Sequence, residues 1–128
     1  KVNRDIKIYD LEWHLKKASE KTKQMFFDLR DKILELGDVR EKINKFYIGY
    51  HPADKYFQFC QVYFFKSKLT IFILLPDKKL VDHKHWVKKS PSSWGWAKNS
   101  KYFEISNEND IPYALELIKQ SYEFNKNR

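Results

Sequence analysis

The chain has 128 residues, 42% of them hydrophobic and 17% aromatic, which excludes general disorder and suits one domain around one core. No apolar run approaches the roughly 18 to 20 residues that cross a bilayer, no secretory signal opens the chain, and one cysteine, Cys60, excludes an internal disulfide. The 25 Lys and Arg against 17 Asp and Glu leave a net charge of +8, a balance that favours anionic partners such as nucleic acid. Against that stands the scarcity of arginine, the usual reader of phosphates and bases: the basic residues are nearly all lysine, with Arg4, Arg30, Arg40 and Arg128 the exceptions. A Lys-, Asn- and Ile-rich chain is also what an A·T-biased genome produces. The absent initiator Met leads us to expect that residues 1–128 form one module of a longer polypeptide; the lone Cys60 fits a reducing, cytoplasmic compartment, and the short apolar runs lead us to expect no membrane partner.

In chain order, residues 1–9 alternate Val2, Ile6 and Ile8 with charge and read as an edge strand or ordered linker. Asp10 suits the N-cap of a short helix over 11–18, and Ser19 that of the main helix, which runs to about Leu36. Thr22, Met25, Phe26, Leu29, Ile33 and Leu36 stripe one face of it, and Gly37 reads as its left-handed stop. Val39, Glu41 and Ile43 alternate as a short strand. Residues 46–75 then organise the chain: strands over 46–50, 56–64 and 69–75, a turn at 51–54, where Pro52 removes a ladder donor, and a hairpin tip at 65–68. In the 56–64 strand, period two sets Tyr56, Gln58, Cys60, Val62 and Phe64 on one face and Phe57, Phe59, Gln61 and Tyr63 on the other. Apolar character on both faces predicts central strands, with helices on one side and a ligand surface or another domain on the other.

After Pro76 the chain becomes polar, basic and tryptophan-bearing. Leu80, Val81, Trp86 and Val87 allow a short helix that the serines of 90–93 end. Residues 102–106 read as a fifth strand, and 107–110 offer caps. Ile111, Leu115, Ile118 and Tyr122 stripe a last helix with Pro112 in its first turn, and 124–128 read as a fraying tail. The expected class is α+β: a mostly antiparallel sheet of about five strands flanked by an N-terminal and a C-terminal helix.

Several stretches, HLKKASEKTKQMFFDLRDKIL, KFYIGY, KSKLTIFILLP and NDIPYALELIKQSYE, resemble the bacterial and archaeal domain-of-unknown-function family 5655, over roughly residues 9–123. The most specific pieces are His14-Leu15 with Ala18-Ser19, and the run from Leu117 to Glu123. Some members carry the label "predicted transport protein", for which nothing in this sequence gives support. The family is often fused behind restriction- or nuclease-like domains, so the resemblance implies an accessory role in DNA-directed defence beside a nuclease-type domain. It supplies no established catalytic residues. A family loop of the type GHWGNGD corresponds here to residues 93–99, with Trp96 the match for its tryptophan; the histidine and the second glycine are absent.

Read from the residues, the strongest candidate site is the loop 84–101. Lys84, Lys88, Lys89, Lys98 and Lys101, with His85, interleave Trp86, Trp94 and Trp96. Lysines neutralise phosphate and indoles stack on bases at about 1–3 kcal/mol per base; the bland alternative is tryptophans plugging the sheet and lysines in solvent. His83 and His85 with Asp77 and Asp82 lack metal-site spacing, so no cofactor is expected. Catalysis is not expected either. The chain lacks a phosphate loop and a nucleophile elbow, and the central hairpin carries Gln58, Gln61, Lys66 and Lys68 where a nuclease needs acids for Mg²⁺. The expectation is a non-catalytic module binding DNA or RNA. The rival is a protein–protein docking or dimerisation domain; the oligomeric state is left open.

Overall fold

The computed structural model describes residues 9–91 and 98–128; the segment expected to open the chain as an edge strand lies almost wholly outside them, as do Trp94 and Trp96. Asp10, extended, caps helix α1 (Leu11–Leu15) by accepting the Trp13 N–H at 3.1 Å. Five residues do not hold a helix alone, and α1 is fastened from outside. Trp13 Nε1 donates to the Lys45 carbonyl at 2.9 Å, and the buried His14 meets the Asn44 carbonyl through Nε2 at 2.6 Å. Helix α2 (Glu20–Leu34) begins at Ser19, whose side chain accepts the Thr22 N–H, and buries Met25, Phe26, Leu29 and Ile33 completely. It ends two residues earlier than the stripe predicts. Gly37 is not left-handed: a Cβ there would lie 2.0 Å from the Tyr122 hydroxyl oxygen, so glycine is needed for close packing.

Among the described residues, six strands form one antiparallel sheet: β1 (Val39–Ile43), β2 (Ile48–Pro52), β3 (Cys60–Phe64), β4 (Leu69–Leu74), β5 (Lys88–Lys89) and β6 (Ser100–Ile105). Their order is β1-β2-β3-β4-β6-β5. Alternation sends Ile48, Tyr50, Cys60, Val62, Leu69, Ile71, Ile73, Phe103 and Ile105 to one face, where α2 and helix α3 (Ile111–Lys126) cover them. Phe26 packs on Phe64 at 4.6 Å and Phe59 on Tyr122 at 5.1 Å between ring centres. Burial pushes the Cys60 thiol far above its ordinary range, which makes it an inert core group. Pro52 belongs to β2 and not to the turn; it lies beyond the last β2–β3 pair, Tyr50–Cys60, where a missing donor is tolerated.

Polar pins fix the helices to the sheet. Arg30 on α2 makes a fork to Glu41 at 2.8 and 2.7 Å, and the buried Tyr50 hydroxyl donates to the same carboxylate at 2.9 Å. On α3, Ser121 donates to the Phe59 carbonyl at 2.6 Å and accepts the Leu74 N–H at 3.0 Å. Asn125, fully buried, donates to the Leu74 carbonyl at 2.8 Å. The expected fraying tail is therefore helix to Lys126, held by an asparagine that hydropathy alone marks as solvent-facing.

Between β4 and β6 the expected short helix does not form. A 3₁₀ turn at Asp77–Lys79 leads into an irregular segment and then β5. The N–H groups a helix would use are taken by side chains: Trp86 and Val87 donate to Asp82, and Val81 to Gln120.

Candidate nucleic-acid interface

The face of the sheet away from the helices carries a series of aromatic rings. Cα partners run in one row across all six strands, Lys42–Gly49–Gln61–Phe72–Tyr102–Lys88, so these side chains share one side. At about 4.8 Å per strand the row spans on the order of 24 Å, with a lysine at each end. Rings cross it in series: Tyr47 to Tyr63 at 5.4 Å, Tyr63 to Phe72 at 5.2 Å, and Phe72 to Tyr102 at 5.5 Å between centres. Phe72 is buried, and Tyr47, Tyr63 and Tyr102 are half-buried.

A hollow of about 460 Å³ opens on this face, with Tyr63, Phe72 and Tyr102 as its aromatic lining and Gln61, Thr70 and Glu104 among its polar groups. Its amide floor is prearranged. Gln61 Nε2 donates to Gln58 Oε1 at 2.8 Å, and Gln58 lies so flat on Gly49 that a Cβ there would come within 2.4 Å of its amide. Glu104 stands at the rim, paired through Oε2 with Lys68 at 2.9 Å. Burial, and then the neighbouring Tyr47, raise the Tyr63 phenol above its usual range, so it remains a neutral ring at physiological pH.

Among the described residues, those that the sequence singles out in the loop do not lie together. Lys88, exposed, pairs with Tyr102 and shares the open face; Lys98 is also exposed. Trp86 lies on the helix side, half-buried, against Tyr113 at 4.7 Å and Phe103 at 6.3 Å, with the Lys84 ammonium 5.7 Å from its ring. Lys89 pairs with Asp77 at 3.3 Å. Lys101 is only 3% exposed; its ammonium donates to the Leu75 carbonyl and, at 2.9 Å, to that of Asn99, and meets Asp77 at 3.1 Å. It is a structural tie and offers nothing to a ligand at the surface. The expected contributions of Trp94 and Trp96 fall outside the described residues.

Asp82 governs the helix-side part of the loop. Burial works against its charge, but hydrogen bonds from Tyr113 (2.5 Å) and from the N–H groups of Val87 and Trp86 outweigh this and hold the carboxyl below its ordinary range. Asp77 is held low by its hydrogen bonds from Lys101 and Lys89. Both carboxylates are thus occupied in holding the loop, and no group of three or more His, Cys, Asp or Glu suited to a metal occurs among the described residues. Nor is any helix among them long and apolar enough to cross a membrane.

Sequence reasoning missed the row itself. Gln61 and Tyr63 were separable as one face of a strand, but their alignment with Phe72, Tyr102 and Lys88 depends on register across β4 and β6. A family model, described as a domain of unknown function (DUF5655), matches residues 12–125. Neither the curated proteins nor the solved structures yield a match.

Proposed function

The chain belongs to the DUF5655 family, and from that premise we propose that it is a non-catalytic module that binds single-stranded nucleic acid on the helix-free face of its sheet. The observation that carries this reading is the series Tyr47, Tyr63, Phe72 and Tyr102, spaced by 5.2 to 5.5 Å, in a field bounded by Lys42 and Lys88. Rings stack on splayed bases while ammonium groups meet the phosphates on either side. A duplex hides its base faces, so the strand must be single or locally opened. The resemblance to domains fused with restriction-type nucleases supports a role in presenting DNA to a nuclease-type partner in a defence system.

A second reading, docking of a partner protein, draws support from Phe65, which is 47% exposed beside the hollow. Salt separates the two. Anisotropy titration of a labelled 12-nucleotide DNA strand at 50 and 200 mM NaCl is expected to give affinity falling about seven- to twenty-fold, the mark of two or three phosphate contacts. Tyr63→Ala is expected to weaken binding by about 1–3 kcal/mol. No measurable binding at 50 mM, or binding indifferent to salt, contradicts the proposal and favours docking.

A further inference from the structure

We infer that the hollow on the open face is a seat for one base of the bound strand and that it selects a base with donor groups, guanine first. The inference rests on the nucleic-acid reading above and adds base selection to it. A carboxylate in a surface meant for a polyanion is an anomaly, because it repels phosphate. Glu104 is such a group, at the rim of the hollow on the same strand as Tyr102. Lys68 occupies its Oε2, while Oε1 accepts no hydrogen bond from the described residues. Gln61 completes the arrangement: it lines the hollow with its Nε2 committed to Gln58, which leaves the side-chain oxygen as its acceptor.

The hollow thus offers acceptors to a ring lying among Tyr63, Phe72 and Tyr102. Thymine and uracil present two carbonyl oxygens around a single N–H and meet Glu104 badly. Cytosine and adenine each bring an amino group. Guanine brings N1–H and an N2 amino group side by side, a two-donor edge that matches Oε1 together with the second lone pair of Oε2. The amide floor is held by Gln58 on Gly49, so the acceptors are in position before the base arrives.

The test uses a thymidine 12-mer and the same strand with one central guanine, inosine, cytosine or adenine, titrated against the whole chain. The guanine strand is expected to bind about ten-fold tighter than all-thymidine, the scale of a good two-point base contact. Inosine, which lacks the N2 amino group, is expected to lose most of that gain, and Glu104→Gln to bring guanine and thymine within about two-fold of each other. Equal, salt-sensitive affinity for all five strands overturns base selection and leaves the stacking surface standing. Retention of the guanine preference in Glu104→Gln overturns the assignment to Glu104. Failure of every strand to bind overturns both this inference and the nucleic-acid reading. The comparison of strands on the unaltered protein needs no variant to fold.

Discussion

The loop packed on the helix side of the sheet and the sheet's open face both combine lysines with aromatic rings. On the helix side, Trp86, Tyr113, Lys84, Lys89 and Lys101 close in on Asp82 and Asp77, and their polar atoms are largely spent on one another and on backbone carbonyls. On the open side, rings stand in series between two lysines at the ends of one row, above an amide floor and beside a hollow. Composition is similar in the two regions, and what differs is where the charges terminate. An ammonium that ends on a carbonyl holds a loop, whereas one that ends in solvent beside half-buried rings is available to a phosphate.

That contrast is easiest to break with paired lysine variants. Lys101→Met strands the carbonyls of Leu75 and Asn99 and is expected to cost about 2–3 kcal/mol of stability by urea denaturation. Its pairing with Asp77 adds little to that figure, because the carboxylate is 59% exposed. Lys88→Met, one strand position away in pairing, is expected to change stability by less than about 0.5 kcal/mol and to reduce the salt slope of DNA binding by about 0.7, one phosphate's worth on a single strand. Equal stability losses in both would erase the distinction.

A smaller effect sharpens the open side. Gly49→Ala forces Gln58 off the sheet and is expected to cost about 1–2 kcal/mol from overpacking, with weaker DNA binding as Gln61 loses its support. Undiminished binding by a folded Gly49→Ala protein would show that the amide floor plays no part.

The smallest expected effect belongs to neither region and serves as a control. His14 is buried, and burial lowers its imidazole pKa from the ordinary 6.5, with Nδ1 lacking a hydrogen-bond partner among the described residues. The unfolded chain therefore takes up the proton first, so this contribution to stability is complete above pH 6.5 and declines as pH falls toward the lowered folded value. Denaturation midpoints at pH 7.5 and 5.5 are expected to fall for the natural chain and to fall less for His14→Gln. An equal fall in both would assign the pH dependence elsewhere.

Much of the architecture was legible in the sequence because it is written in local chemistry. Asp10 and Ser19 cap the helices they were expected to cap, the Met25–Phe26–Leu29–Ile33 stripe is core, and the 65–68 tip closes its hairpin with Phe65 N–H on the Lys68 carbonyl at 3.0 Å. Phe59 marks where local reasoning stops. Alternation assigned it to the face of Gln61 and Tyr63, but β3 begins only at Cys60, and Phe59 turns under α3 onto Tyr122. Strand β5 was invisible because two lysines carry no strand signal; pairing with β6 makes them one. The stretches most specific to the family resemblance proved architectural: His14, Ser19, Gln120, Ser121 and Tyr122 fasten helices and loops. The open-face row was legible in kind, as lysines with aromatics, but not in place, since only the register lines up residues 7 to 60 positions apart.

Backbone amide resonances followed during titration with a 12-nucleotide single strand report whether the helix-free face is the binding surface. Shifts are expected to concentrate at Gly49, Gln61, Tyr63, Phe72, Tyr102 and Lys88, with Leu29, Ile33 and Leu117 unmoved. Shifts centred instead on Trp86, Tyr113 and the outer surface of α3, with the row from Lys42 to Lys88 silent, would contradict it.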